Sequence, residues 1–243
     1  MIESLFSMQD KICVVTGGSR GLGSYMAQGF LEAGARRVYI TARKAEACIS
    51  AAEELSKYGE CLAIPGDVAT SDGLQYLVSE LMSHEQHIDV LVNTAGAGWG
   101  APFGQFPEQG WDKTMNVNAK SPFFLIQALA PLLKENASAD NTASIINIGS
   151  IAGMVGNALD NFSYAASKAA IHQLTRVLST ELANDHIRVN AIAPGRVYSK
   201  MTEFLSYDQD ACEEELQTIP MRRWGEASDL SKGDRGFSQP VCN

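Results

Sequence analysis

The stretch "ICVVTGGSRGLG", residues 12–23, decides the fold of this chain. A short apolar run leads into glycines with a Gly-x-x-x-Gly-x-Gly spacing, at Gly17, Gly21 and Gly23. Apolar residues at helical spacing follow, so the pattern predicts a buried strand, a tight glycine turn and a helix. Glycine lets the backbone turn sharply near a pyrophosphate, and the helix N-terminus offers unpaired N–H groups to it. The stretch therefore predicts a dinucleotide-binding unit.

The rest of the chain repeats this alternation of strand and helix. The strand-like runs are apolar throughout, as in strands buried on both faces of a parallel sheet, and longer helical patterns separate them. We predict a single α/β domain over residues 1–243: a three-layer, doubly wound Rossmann fold around a parallel sheet of six strands. The predicted strands are 12–16, 38–41, 61–68, 89–93, 144–150 and 189–195, and the predicted helices are 21–33, 44–58, 71–84, 111–134 and 162–184.

Composition narrows the class of protein. The formal net charge of −9 argues against binding a nucleic-acid backbone as the main task. No apolar run approaches the roughly 18 to 20 residues of a membrane span, and the first residues lack the pattern of a secretory signal. The five scattered cysteines contain no CxxC pair, and the four histidines show no metal-ligand spacing. We therefore expect a cytoplasmic protein with reduced thiols and without a metal, a membrane span or a nucleic-acid partner.

The end of the second strand predicts which dinucleotide binds. An NAD site usually places Asp or Glu there to hold the ribose 2′-hydroxyl, whereas this chain has "ITARK", with Thr41 and Arg43. Arg20 lies inside the glycine loop, and we expect its side chain to reach the same spot. Because guanidinium groups match a 2′-phosphate, we predict NADP(H). The alternative is a pair of solvated surface arginines. Asp67 and Val68, after the third strand, are expected near the adenine.

Polar residues gather where the later strands end. Ser150 ends the fifth strand, and the next helix carries Tyr164 and Lys168 four residues apart, on one side of that helix. The fourth strand ends in "NTAG" (93–96), and the helix after it carries Asn118. A Tyr-x-x-x-Lys pair alone is typical of an amphipathic helix surface. Because the carboxyl ends of parallel strands meet at one edge of the sheet, we expect these side chains in one cleft.

In this order and spacing, the motifs resemble those of the short-chain dehydrogenase/reductase family. The resemblance covers residues 10 to about 225, nearly the whole chain. Stretches such as "ASIINIGSIAG" (143–153) and "IPMRRWG" (219–225) are also similar to the β-ketoacyl reductase branch of that family, which includes a bacterial rhamnolipid-associated reductase. The family motifs are TGGSRGLG (16–23), NTAG (93–96), Asn118, Ser150, YAASK (164–168) and the Pro-Gly turn at 194–195.

The resemblance implies a role for each catalytic candidate. Tyr164 would be the general acid that gives its proton to a carbonyl oxygen as hydride arrives from the nicotinamide. Lys168 would lower the pKa of that phenol and hold the nicotinamide ribose. Ser150 would bind the substrate oxygen and stabilise its developing charge. Asn118 would hold a water that relays protons to the lysine.

The resemblance also implies a set of cofactor contacts. Ser199 stands four residues after the glycine of the Pro-Gly turn, where the family often has a hydroxyl that contacts the nicotinamide carboxamide. Thr202 is a second candidate, and an ordinary loop hydroxyl is the alternative for both. Thr94 stands where the family more often has Asn. The full predicted set is Gly17, Ser19, Arg20, Gly21, Leu22, Gly23, Arg43, Asp67, Val68, Asn93, Ala95, Gly96, Tyr164, Lys168, Pro194, Gly195, Val197 and Ser199.

The activity implied is NADPH-dependent reduction of a carbonyl, on a 3-oxoacyl thioester or a similar substrate, by a homo-oligomer (a dimer or a tetramer). A sugar or steroid dehydrogenase of the same fold would differ only in substrate. Some apolar residues near the expected pocket suit an acyl chain, and they equally suit packing. They are Trp99, Phe103, Met201, Phe204 and Leu205.

The C-terminal part departs from the family pattern. After "IPMRRWGEASDL" (219–230) the family continues with a helix, a turn and a seventh strand, whereas this chain has the polar segment "SKGDRGFSQPVCN" (231–243). We therefore expect residues 225–243 to form an atypical tail without the seventh strand, which would leave the sixth strand as an exposed edge. The alternative function is a truncated variant that binds NADP(H) or a full-length partner without efficient turnover.

Overall fold

Within the described part of the chain, six parallel strands form a single sheet. The computed structural model of the chain describes residues 7–156, 160–197, 213, 216–226 and 229. The strand order is β3-β2-β1-β4-β5-β6, so the predicted doubly wound α/β sheet is confirmed. The predicted loss of a seventh strand concerns residues 225–243, of which the structure describes only 225, 226 and 229. The strands are β1 (Ile12–Thr16), β2 (Arg37–Thr41), β3 (Cys61–Ala63), β4 (Val90–Asn93), β5 (Ala143–Ile148) and β6 (Ile187–Ile192).

Helices connect the strands, and one predicted helix is divided. The helix expected over 111–134 begins at Glu108, just after Pro107, and a π-helical segment interrupts it at Asn116–Lys120. This wider turn contains Asn118, one of the catalytic candidates. The helices are α1 (Gly21–Glu32), α2 (Ala45–Leu55), α3 (Ser71–His84), α4 (Glu108–Met115), α5 (Ser121–Glu135) and α6 (Phe162–Glu181).

Strand β3 is shorter than the predicted range 61–68 and ends at Ala63. Two features of the sequence stop it. Pro65 has no N–H to donate to a ladder. Asp67 then starts a turn, in which its side-chain oxygen accepts the N–H of Ala69 at 3.1 Å. The chain therefore leaves the sheet before the two residues that were expected near the adenine.

The sheet is covered on both faces, as the continuous apolar strands predict. In β1, Cys13 and Val15 belong to one buried apolar cluster, together with α1 and α2. Ile12 and Val14 belong to a second cluster on the other face, with α3 and α5. Each large aliphatic side chain buried in this way contributes about 1.5–3 kcal/mol to the hydrophobic stabilisation. The resulting three-layer domain holds the strand ends, and the loops that follow them, in fixed positions.

The order of the strands reverses between β1 and β4, which lie side by side. A single hydroxyl ties the loops at this point together. The Thr16 Oγ1 atom accepts the N–H groups of Thr94 and Ala95, each at 3.1 Å. Ligands of doubly wound sheets bind in the crevice that forms where strand order reverses. The candidate site is therefore expected at the ends of these two strands.

Candidate active site

The glycine loop after β1 requires glycine at each of the three motif positions. Gly17 and Gly21 have φ values of 69° and 55°, in the left-handed region. A Cβ at Gly23 would lie 2.6 Å from the carbonyl oxygen of Gly17, a backbone atom that cannot rotate away. The loop therefore brings its backbone close to the start of α1, as the spacing predicts.

The N-terminus of α1 is suited to an anion. No side chain caps it, and its first turn contains no acidic residue, so its N–H groups and positive dipole end are available. Arg20 and Arg43 are exposed beside this loop, and neither forms an ion pair with another residue that the structure describes. The buried hydroxyl of Thr41 also has no hydrogen-bond partner among the described residues. These features fit a dinucleotide with an additional phosphate.

Three of the predicted catalytic side chains converge beyond this loop. The side chains of Ser150 and Tyr164 form a hydrogen bond. The Lys168 ammonium nitrogen lies 5.6 Å from the centroid of the Tyr164 ring. This nitrogen also donates a 2.6 Å hydrogen bond to the carbonyl oxygen of Ile148, at the end of β5. The arrangement combines a hydroxyl donor, a phenol and an ammonium group in one place.

The pKa of Tyr164 is shifted in the direction opposite to the expected one. The resemblance to the family implies that Lys168 lowers the pKa of Tyr164. Burial instead raises the pKa of the Tyr164 phenol above its ordinary value of 10.0, because a phenolate is poorly solvated there. The hydrogen bond from Ser150 and the positive charge of Arg196 act against this rise, without cancelling it. Without a bound cofactor, the phenol is therefore held in its protonated form.

Lys168 is almost completely buried, with 5% of its surface exposed. Desolvation of its ammonium group lowers its pKa from 10.5 to about 8. Lys168 is still largely charged at neutral pH. Its hydrogen bond to Ile148 compensates part of the cost of burying that charge. The buried charge of Lys168 therefore lowers the stability of the folded chain at neutral pH.

This shift predicts how stability depends on pH. Between pH 8 and 10.5 the unfolded chain binds a proton on Lys168 that the folded chain does not, so stability should rise with pH in that window. Compared with Lys168→Met, the wild type should gain about 2 kcal/mol of unfolding free energy between about pH 7 and 10. Urea unfolding of both cofactor-free chains measures this. Burial also raises the pKa of Cys61, but that residue is common to both chains. If the unfolding free energies of the two chains changed equally with pH, the prediction would be wrong.

Asn118 binds the loop after β4 to helix α6. Its side-chain oxygen accepts the N–H of Ala97 at 2.8 Å. Its amide group donates to the Ala97 carbonyl oxygen at 2.8 Å and to the Ser167 hydroxyl at 2.9 Å. Both amide hydrogens are therefore used within the protein. The water-holding role that the resemblance implies for Asn118 stays a prediction, and it would have to use other atoms of this residue.

Two residues predicted as cofactor contacts have side chains that point into the protein. The Asn93 amide donates to the Asn147 side-chain oxygen at 2.9 Å, and the Asn147 amide donates to the Thr175 hydroxyl at 3.0 Å. This buried chain of amides links β4, β5 and α6. Val68 is part of the apolar cluster on the α3 face of the sheet. A cofactor contact from either Asn93 or Val68 would therefore have to come from its backbone.

The loop after β4 lies between the glycine loop and Lys168. A Cβ at Gly17 would lie 2.9 Å from the Cα of Ala95, and a Cβ at Gly96 would lie 4.0 Å from the Lys168 ammonium nitrogen. The loop after β6 also approaches, since the Ile151 N–H donates to the carbonyl oxygen of Pro194 at 3.2 Å. The predicted residues Ser199 and Thr202 lie outside the described part of the chain.

Of the five residues expected to line an acyl pocket, the structure describes Trp99 and Phe103. Trp99 packs over Gly110 of α4, where a Cβ would lie 2.5 Å from the indole ring. Phe103 is 84% exposed and packs edge-on against Phe162, with 5.6 Å between ring centroids. Phe103 and Phe162 line an open pocket of about 320 Å³ together with Phe106, Pro107, Glu108 and Trp111. Met201, Phe204 and Leu205 lie outside the described residues.

Sequence reasoning missed two glycines and a histidine beside Ser150. A Cβ at Gly149 would lie 2.2 Å from the ring of His172, and a Cβ at Gly153 would lie 2.4 Å from the carbonyl carbon of Lys168. Both glycines let helix α6 approach the end of β5 closely. The signals in the sequence were glycine on each side of Ser150 and the spacing of four residues from Lys168 to His172.

The described residues contain neither a metal site nor a membrane-spanning helix. No group of three or more His, Cys, Asp or Glu side chains is arranged to hold a metal ion in that part of the chain. None of the helices described is both long enough and apolar enough to cross a membrane.

Comparisons with known proteins agree with this geometry. Residues 11–210 match the family model of the short chain dehydrogenases. The chain is 48% identical to a rhamnolipid biosynthesis 3-oxoacyl-[acyl-carrier-protein] reductase of Pseudomonas aeruginosa over 226 residues, which are 93% of this chain and 88% of that protein. It is 38% identical to an Escherichia coli 2-dehydro-3-deoxy-D-gluconate 5-dehydrogenase over 230 residues, 95% of this chain and 88% of that protein.

A solved structure gives the same result. The NADP active-site complex of Pseudomonas aeruginosa RhlG superposes with a TM-score of 0.94 at 46% identity, over 97% of this chain and 91% of that chain. The match extends over both the glycine loop and the three catalytic candidates, since the family model spans them all. The chain belongs to the short-chain dehydrogenase family.

Proposed function

We propose that the chain is an NADP(H)-dependent ketoreductase that reduces a 3-oxoacyl thioester to the 3-hydroxyacyl thioester. The observation that carries this proposal is the convergence of Ser150, Tyr164 and Lys168 beside a glycine loop that fits a dinucleotide. Relatives named as a 3-oxoacyl-[acyl-carrier-protein] reductase and an NADP complex support the substrate class and the cofactor. We also propose a cytoplasmic homo-oligomer.

The residues of the chain perform the proton transfer and stabilise the charge. NADPH, when bound, supplies the hydride that the carbonyl carbon receives. Tyr164 gives its phenolic proton to the carbonyl oxygen, so that C=O becomes CH–OH and a phenolate remains. The Ser150 hydroxyl donates a hydrogen bond to the same oxygen as negative charge develops on it. The Lys168 ammonium, 5.6 Å from the ring, stabilises the phenolate until solvent protonates it again.

The raised pKa of Tyr164 keeps the phenol protonated but also makes it a weaker acid. A reductase needs the phenol protonated when the substrate arrives, and burial favours that form. The Ser150 hydrogen bond and the Arg196 charge favour the phenolate, so they help the proton to leave. The site thus contains a protonated phenol next to two groups that favour its ionisation.

The surface next to Ser150 favours an acyl chain over a sugar acid. Ile151, Met154 and Val155 follow the catalytic serine and are 46%, 65% and 60% exposed. Apolar side chains with this exposure bind an alkyl chain by removing it from water, at about 25 cal/mol per Å² of buried apolar surface. They offer no hydrogen bonds to the hydroxyl groups of a sugar.

The test is NADPH oxidation by the purified chain with two kinds of substrate: 3-oxoacyl thioesters of increasing chain length and a keto sugar acid. We expect turnover of the thioesters, faster for longer chains, and a preference for NADPH over NADH of at least about tenfold. Arg43→Ala should reduce that preference, since it removes a partner for the 2′-phosphate. Absence of oxidation with every thioester would contradict the proposal.

The same assay separates the alternative of a binding protein without turnover. A Tm raised by NADPH but no oxidation of any substrate would support that alternative. Binding to the native state alone stabilises it by about 2.7 kcal/mol when the ligand is a hundredfold above its Kd. Turnover of the keto sugar acid alone would instead place the chain with its gluconate dehydrogenase relatives.

A further inference from the structure

Helix α6 carries a third polar side chain on its catalytic face. Tyr164, Lys168 and His172 follow one another at intervals of four residues, so they lie along one side of the helix. The His172 ring is half-buried, and its Nε2 atom lies 3.1 Å from the carbonyl oxygen and 3.4 Å from the amide nitrogen of Ser150. The histidine therefore contacts the backbone of the residue that binds the substrate oxygen.

The neighbouring glycine shows how closely the ring approaches. A Cβ at Gly149 would lie 2.2 Å from the Cε1 atom and 2.6 Å from the Nε2 atom of His172. These distances are far below van der Waals contact, so the ring occupies the space that any other side chain at position 149 would need. Gly149 therefore packs directly against the His172 ring, beside the contact of that ring with Ser150.

Each of the residues at the end of β5 forms a hydrogen bond that fixes its position. The carbonyl oxygen of Ile148 accepts the Lys168 ammonium at 2.6 Å, and the N–H of Gly149 donates to Ile192 of β6 at 2.8 Å. Ser150, the next residue, has its carbonyl oxygen between the N–H of Gly153 at 3.0 Å and the His172 ring at 3.1 Å. Helix α6 therefore supplies both the catalytic side chains and two of the contacts that fix the strand end.

We infer that His172 is a positioning residue, which sets the place of the Ser150 hydroxyl relative to Tyr164 by holding the Ser150 backbone to the catalytic helix. Either neutral tautomer serves: a protonated Nε2 donates to the Ser150 carbonyl oxygen, and an unprotonated Nε2 accepts the Ser150 N–H. Because it depends on the role of Ser150, the inference rests on the proposed function. His172 itself does not contact the substrate.

Replacing His172 with Phe and with Gln tests this role in the full chain. Phe keeps a flat ring against Gly149 but lacks the nitrogen, so kcat should fall about tenfold or more while the Kd for NADPH stays within about twofold. Gln retains an amide that can donate or accept, and it should restore a large part of kcat. A residue that only packs would show the opposite order, with Phe tolerated better than Gln.

A matched control makes the same exchange elsewhere. His84→Phe, at the exposed last residue of α3, should leave kcat unchanged. If His172→Phe turns over within about twofold of the wild type, the inference is wrong, because geometry changes of this kind cost much more.

A second experiment tests the contact without substrate. Gly149→Ala should lower Tm by about 5 °C in the wild type and by much less in a His172→Ala background, where the ring is gone. Equal losses in both backgrounds would overturn the inference, since the ring would not lie where Gly149 requires it. A wild type without turnover would contradict the proposed function instead, and this coupling would still be measurable.

Discussion

Tyr164→Phe should remove nearly all turnover while leaving cofactor binding intact. The variant lacks the hydroxyl that we propose gives its proton to the carbonyl oxygen, and general acid catalysis contributes about 10²–10⁴-fold to a rate. We therefore expect kcat to fall by about that factor, and the Kd for NADPH to stay within about threefold. Single-turnover oxidation of NADPH with a 3-oxoacyl thioester, together with a binding titration, measures both quantities.

Tyr39→Phe is the matched control for this loss. Tyr39 is also buried, and its hydroxyl donates to the Glu85 carboxylate at 2.8 Å, a partner that Arg37 also binds at 2.5 Å. Removing that hydroxyl should cost about 1 kcal/mol of stability and leave kcat unchanged. If Tyr164→Phe kept more than about a tenth of the wild-type kcat, some other group would have to be the acid.

The fold could be predicted because its signals are local. The continuous apolar runs and the glycine spacing around residues 12–23 predict buried strands and a phosphate-binding turn, without knowledge of distant contacts. Strand ends were less predictable, as β3 shows, because Pro65 and the turn at Asp67 act within an otherwise apolar run. The π-helical interruption at Asn116–Lys120 had no signal in a sequence that reads as one helix.

The site could be predicted as a set of residues but not as a set of contacts. Ser150, Tyr164 and Lys168 stand where motif spacing places them, and the structure brings them together. The inward turn of the Asn93 side chain depends on Asn147, which lies 54 positions later in the chain. The sign of the Tyr164 pKa shift likewise depends on burial by distant segments, which outweighs the nearby charges. The spacing of residues in the sequence indicates neither the direction of the Asn93 side chain nor the sign of this pKa shift.

The same distinction explains why glycines were recognised at one strand end and missed at the other. At Gly17 and Gly21 the backbone has a positive φ, and a known motif surrounds these positions. Gly149 and Gly153 are required by the approach of another helix instead. Such a requirement appears only when the two segments, far apart in sequence, are seen in contact. This close approach should have a large effect on function, because that helix carries Tyr164, the proposed acid.

Gly153→Ala should therefore damage both stability and turnover. The added Cβ would lie 2.4 Å from the carbonyl carbon of Lys168 and 2.5 Å from the amide nitrogen of Ala169, so the backbone of α6 or the turn at Ile151–Gly153 must move. Overpacking against such atoms costs about 1–3 kcal/mol. Because the N–H of Gly153 donates to the carbonyl oxygen of Ser150 and closes this turn, the shift also moves Ser150, the proposed catalytic serine. We expect kcat to fall about 100-fold.

Gly156→Ala is the control in the same loop, since no atom of the residues that the structure describes lies within 4 Å of the position its Cβ would take. It should leave kcat unchanged, and urea unfolding should show little loss of stability. The two variants differ in what the methyl group meets, not in the residue exchanged. Equal behaviour of the pair would mean that the close approach of α6 to the end of β5 can relax without cost. A selective loss in Gly153→Ala would show that the distance between this helix and the strand end sets the geometry of the reaction.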